Sequence, residues 1–158
     1  MKHCGTKYLE TDRLILRRFK KEDAEAMYNN WASDNEVTKY LTWPPHSNQE
    51  VSQSILDGWV NSYSDDSFYQ WAIVLKDNGD KPIGSISAVD IKEKTSMAHI
   101  GYCIGRAWSV SYTHLVGSLM LKYNGGGHKK VGTCQFSNEN MDTELPKMLE
   151  ELKQLSNQ

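Results

Sequence analysis

His99 stands inside Met97-Ala98-His99-Ile100-Gly101-Tyr102-Cys103-Ile104. Alternation along that run puts Met97, His99, Gly101 and Cys103 on one face of a strand and Ala98, Ile100, Tyr102 and Ile104 on the other. An imidazole with an ordinary pKa near about 6.5 can accept a proton at neutral pH. The same position also reads as a half-buried strand histidine donating to a neighbour. A second cluster, Gly125-Gly126-Gly127-His128-Lys129-Lys130, pairs bare backbone with cations. Glycines let N–H groups approach a phosphate closely, and lysines add charge. It also reads as a flexible glycine loop beside two solvated lysines. Cys4, Cys103 and Cys134 are odd in number and widely spaced, so neither a disulfide framework nor a CxxC motif is expected. No Asp/His cluster has metal-ligand spacing, and no metal is expected.

These residues need elements to position them. Arg13 to Arg18 is a β-prone run with Leu14 and Leu16 on one face. Lys21 to Ser33 carries Ala24, Met27, Tyr28 and Trp31 at helical spacing. After Pro44-Pro45, Ser47 and Glu50 form a capping box for a helix over 48–63, with Val51, Ile55, Trp59 and Tyr63 on its stripe. The period then changes, and strands are expected over 68–75, 82–91 and 96–104, the first two joined by Asp77-Asn78-Gly79-Asp80. A strand, two helices and an antiparallel three-stranded meander make an α+β pattern. Beyond Trp108 the rhythm is lost. Leu115 to Tyr123 is a short apolar run, Asn124 to Gly127 a break, Val131 to Phe136 a candidate strand and Thr143 to Leu155 a candidate helix.

The chain has 158 residues, 39% of them apolar and 24% charged, which fits one globular domain with a core. A net charge of −2 does not favour nucleic acid or an anionic membrane. No apolar stretch has the length of a membrane span, and the N-terminus has no run that reads as a signal peptide. The cysteine usage suits a reducing cytoplasm. All five tryptophans precede residue 109, a hint that the two parts of the chain differ in origin.

Four segments, in order over roughly the first hundred residues, resemble one family. Leu9 to Arg17 is similar to the opening strand of the GNAT N-acetyltransferases that modify ribosomal-protein N-termini, and Glu22 to Met27 to the helix after it. Lys81 to Ile86 resembles the family's Pro-Ile-Gly strand, and Ala98 to Gly105 its fourth strand. The resemblance implies transfer of an acetyl group from acetyl-CoA to a primary amine, on a small molecule or a protein N-terminus. It implies that Tyr102, Cys103 and Ile104 line the cofactor arm, because the fourth strand of that fold splays from the fifth and pairs with pantetheine. Many relatives have glutamate where this chain has His99, which makes His99 the candidate catalytic base.

The resemblance breaks after residue 108. Where the family has a Gly-rich turn that holds pyrophosphate at a helix N-terminus, this chain reads Arg106 to Leu115 without glycine. The later run Leu121 to Gly132 resembles the glycine–histidine motif of the DHH-associated domain of DHH-type phosphoesterases, which implies nucleotide binding by Gly125, Gly126, Gly127, His128 and Lys129. Val131 and Thr133 depart from that motif. The expected organisation is a partial GNAT domain over 1–108, a junction at 109–115, and a non-GNAT α/β tail, a DHH-associated-like fragment, over 116–158. On this reading the chain is an N-acetyltransferase by family, impaired because the pyrophosphate loop is missing. The alternatives are a nucleotide- or RNA-phosphate-binding fragment and a non-functional chimera.

Overall fold

The β-branched and aliphatic runs of the sequence become one antiparallel sheet. The computed structural model describes residues 3–92, 97–109, 126–128, 131–137 and 147. Its strands are β1 (Leu9–Glu10), β2 (Leu14–Arg17), β3 (Gln70–Leu75), β4 (Pro82–Lys92), β5 (Met97–Ile104), β6 (Gly126–His128) and β7 (Val131–Ser137). Their order across the sheet is β1-β2-β3-β4-β5-β7-β6, and every described pair is antiparallel. This is the α+β architecture expected, with each strand of the meander at its expected place. The turn at Asp77–Asp80 also forms, and Gly79 takes φ +67°, which glycine adopts without a Cβ penalty.

Helical elements cover one face. A 3₁₀ turn at Lys21–Asp23 leads into α1 (Ala24–Met27), a π turn at Tyr28–Ala32, and α2 (Asn35–Thr38). The single helix expected over 21–33 is thus three short pieces. The π turn widens the chain so that Ser33 N donates to Tyr28 O at 3.2 Å, and Ser33 Oγ donates to the same oxygen at 2.7 Å. Ala24, Met27 and Trp31 are buried as expected, while Tyr28 is half-buried.

α3 (Gln49–Ser62) corrects the expected cap and stripe. Its N-cap is Asn48, not Ser47, and the Asn48 side chain accepts from Val51 N at 3.1 Å. Asparagine caps at least as well as serine, so moving the start by one residue costs nothing. The inward stripe is Ser52, Leu56, Trp59 and Tyr63, whereas Val51 and Ile55 are exposed. Buried Ser52 is tolerated because its hydroxyl bonds to His46 Nδ1 at 2.8 Å.

Between these helices and the sheet lie Phe19, Met27, Trp31, Val37, Leu56, Val74 and Cys103. Full burial of each large apolar side chain contributes about 1.5–3 kcal/mol. The strand register puts Leu16, Ile73, Ile86, Ala98 and Ile100 on the opposite face, where they are buried too.

At the β2 end, Arg17 ties three elements together. Its guanidinium donates to both Asp23 oxygens at 2.8 and 2.9 Å, to Asp80 Oδ1 at 2.7 Å and to Asp80 O at 2.5 Å. Burial opposes the charge, but the bonds to Asp23 and Asp80 outweigh it and hold the guanidinium above the usual arginine pKa.

The tail brings one correction. The glycine break expected at 124–127 contains strand β6, so Gly126, Gly127 and His128 are extended and pair with Thr133, Gly132 and Val131. The strand expected near 131–136 is present as β7. The apolar run at 115–123 lies outside the described residues, and of the helix expected at 143–155 only Lys147 is described, as helical.

Candidate active site

β5 carries the residues singled out for chemistry, and its two ends sit in different surroundings. The C-terminal end runs into the core. Cys103 is buried on the helix side, with Sγ 3.3 Å from Ser85 Oγ across the β4–β5 ladder, and burial pushes its thiol up. Tyr102 points to the other face, as alternation requires, and Ile104 is half-buried. Gly105 follows, its N–H donating to Ile83 O at 2.8 Å. A Cβ at Gly105 would meet Asn30 O, the carbonyl of the π turn, at 2.2 Å, so only glycine allows this approach. The short helix α4 (Arg106–Ser109) starts immediately after it, and Arg106 Nε pairs with Asp34 Oδ2 at 3.2 Å.

The N-terminal end of β5 reaches the rim. His99 keeps a side-chain exposure of 25%, enough to meet solvent while one nitrogen stays fixed. Its Nδ1 lies 3.2 Å from Asp90 Oδ2, and Lys92 Nζ is 3.6 Å from the same oxygen. The register explains the contact. Asp90 pairs with His99 and Ala88 with Ile100, so Val89 is an extra residue and the ladder is bulged. Carried on from the core without that bulge, Val89 would oppose His99 and Asp90 would turn to the other face. Asp90 belongs to no motif that points to chemistry. Counting pairs back from Lys92 opposite Met97 places it opposite His99.

The outer edge of β5 is occupied. Met97 to Cys103 pair one for one with Ser137 to Val131 of β7. The strand whose backbone was expected to meet pantetheine therefore spends its ladder bonds on the chain itself, Tyr102 opposite Gly132 and Cys103 opposite Val131. Gly126, Gly127 and His128 belong to the adjoining β6, and Gly125 and Lys129 lie outside the described residues. In an extended strand successive N–H groups point to opposite edges, so β6 offers no convergent cradle. No group of three or more His, Cys, Asp or Glu among the described residues is arranged to hold a metal ion. No helix among them is long and apolar enough to cross a membrane.

Known proteins share this fold. The profile of the Acetyltransferase (GNAT) domain matches residues 13–144, a span that runs past the expected junction at 109–115. The chain is 29% identical over 140 residues to YoaA of Bacillus subtilis strain 168, an uncharacterized N-acetyltransferase, covering 87% of this chain and 78% of that protein. A Vibrio cholerae structure named for ribosomal-protein-serine acetyltransferase superposes with a TM-score of 0.61 at 13% identity, over 85% of this chain and 99% of that one. The microcin C7 self-immunity acetyltransferase MccE, solved with acetyl-CoA and AMP, gives a TM-score of 0.54 at 22% identity, over 72% of this chain and 63% of its own. With its family profile matched along most of its length and its fold shared by those structures, the chain belongs to the GNAT acetyltransferase family.

Proposed function

We propose that this chain is an N-acyltransferase that acts on a primary amine, of a small molecule or a protein N-terminus, with His99 as the base and acetyl-CoA as the acyl donor. The observation that carries the reading is the imidazole of His99 at the solvent-facing rim of β5, held at 3.2 Å by a carboxylate. An amine is protonated at neutral pH and nucleophilic only when neutral, so a base at this place removes the proton that blocks attack. MccE in its acetyl-CoA complex and the Vibrio cholerae structure named for ribosomal-protein serine support the donor and a protein N-terminus as acceptor by likeness of fold alone.

The residues present fit that donor poorly. A pantetheine arm adding to β5 must displace β7 between Met97 and Cys103 or bind beyond Ile104. The stretch after Gly105 lacks the glycines of the family's phosphate turn. Charge-assisted hydrogen bonds to a phosphate are worth about 1.5–3 kcal/mol each, so losing two weakens binding by orders of magnitude. The role given to His99 concerns the amine alone. A second reading, a partial GNAT domain over 1–108 joined to a tail of other origin over 116–158 and impaired as an enzyme, stands against a family profile that continues to residue 144.

The test is mass detection of an acetylated serine-initiated peptide after incubation with acetyl-CoA. Product formed by the parent chain and lost with His99→Ala supports the first reading. Product from neither chain, with no calorimetric binding of acetyl-CoA, leaves the second.

A further inference from the structure

We infer that Asp90 is a positioning residue that holds the imidazole of His99 in one tautomer, with the proton on Nδ1 and the lone pair on Nε2. This rests on the reading of His99 as a base. A carboxylate accepts hydrogen bonds and donates none, so the 3.2 Å contact to Asp90 Oδ2 forms only when Nδ1 bears hydrogen. A neutral imidazole carries a single proton, so fixing it on Nδ1 commits Nε2 to be the acceptor. The pair is built into the sheet. Asp90 and His99 are register partners on neighbouring strands, and the extra residue Val89 brings their side chains to the same face. Lys92, two residues along β4 and opposite Met97, lies 3.6 Å from the shared oxygen and brings a cation to that carboxylate. Val89 stands 62% exposed beside this spot, and its Cγ1 would lie 3.2 Å from a Cβ on Gly101. The absence of a side chain at Gly101 therefore makes room for Val89, the bulged residue itself.

Nitrogen chemical shifts of His99 in the isotope-labelled full chain, recorded in alkaline buffer, read the tautomer directly and need no turnover. The Nδ1–H form is expected in the parent chain, the Nε2–H form in Asp90→Ala, and no change in Lys92→Ala. Nε2–H in the parent chain, or Nδ1–H retained in Asp90→Ala, overturns the assignment. Where the parent chain acetylates the peptide, Asp90→Ala is expected to lower kcat about tenfold, part of the gain a positioned base supplies. Peptide KM is expected to stay within about twofold, since substrate contacts are untouched. An unchanged kcat in Asp90→Ala beside a defective His99→Ala also overturns it. Absence of turnover in the parent chain defeats the acyltransferase reading, and the tautomer result still decides the role of Asp90.

Discussion

Two carboxylate–cation clusters lie at opposite ends of the same sheet, and their chemistry is similar while their surroundings are not. Arg17 and Asp23 keep side-chain exposures of 10% and 7% and meet through two parallel bonds. His99 and Asp90 keep 25% and 47% and meet through one bond at 3.2 Å. Removing water strengthens a charge pair and makes a broken one expensive. Leaving water makes the pair cheap to break and easy for a substrate to reach. The first cluster therefore holds β2, the 3₁₀ turn and the β3–β4 turn together, and the second, open to solvent, is the one proposed to move a proton.

The largest effect that tests this contrast is in Arg17→Ala, which strands buried Asp23 without its partner. We expect a loss of about 3–5 kcal/mol in denaturant unfolding, because an unpaired buried charge is left behind. A loss under about 1 kcal/mol, the level of a surface pair, would break the comparison. Tyr63→Phe comes next. The Tyr63 hydroxyl accepts from Phe19 N at 2.8 Å and donates to Gln70 O at 2.9 Å. Without it two buried backbone groups lose partners, at a cost of about 1–3 kcal/mol. Burial raises the pKa of Tyr63 to about 12. The folded chain thus holds this proton more tightly than the unfolded one, so the contribution is complete below pH about 10 and fades as pH rises towards 12. Tyr63→Phe should flatten that alkaline decline in chemical denaturation.

Acidification gives a smaller effect of opposite sign. Burial depresses the pKa of His46, whose Nδ1 meets buried Ser52. The unfolded chain binds this proton first, so stability is full above the ordinary histidine pKa of about 6.5 and is lost as pH falls through the depressed folded value. The difference in denaturant midpoint between the parent chain and His46→Gln should shrink on going from neutral to mildly acidic buffer. Further down, the bond from Lys20, followed by those from Arg17, holds Asp80 below the usual carboxylate range. Its contribution is present above the unfolded aspartate pKa and disappears as pH falls through the folded one. The smallest effect belongs to Asp90→Ala. Stability should change by less than about 1 kcal/mol, as for exposed pairs, even as the His99 tautomer switches. A larger loss would mean that the rim pair is structural after all.

Much of the fold is legible in the residues alone. The β-prone runs read at 13–18, 68–75, 82–91 and 96–104, with Asn78-Gly79 between two of them, determine the meander, because strand propensity and positive-φ turns are local properties of the chain. The four segments around Arg13, Glu22, Pro82 and Gly101 point to the family by their order and spacing, and the profile over 13–144 shows it. Helix details are legible only to within a residue or a turn. Whether Ser47 or Asn48 caps α3, and whether Val51 or Ser52 faces inward, depends on which stripe meets the sheet. The π turn at Tyr28–Ala32 has no periodic signal, and it exists where the Asn30 carbonyl meets Gly105.

The candidate site depends still more on tertiary structure. His99 is visible as a titratable residue on a strand face, but Asp90 joins it only through the bulge at Val89 and the register of two strands. The occupation of the β5 edge by Val131–Ser137 is not visible either. A sequence specifies which faces of a strand are apolar, because that is written in side chains two residues apart. Which chain takes the free N–H and C=O groups of an edge is decided by backbone atoms common to all residues, and so only by what the fold brings beside them.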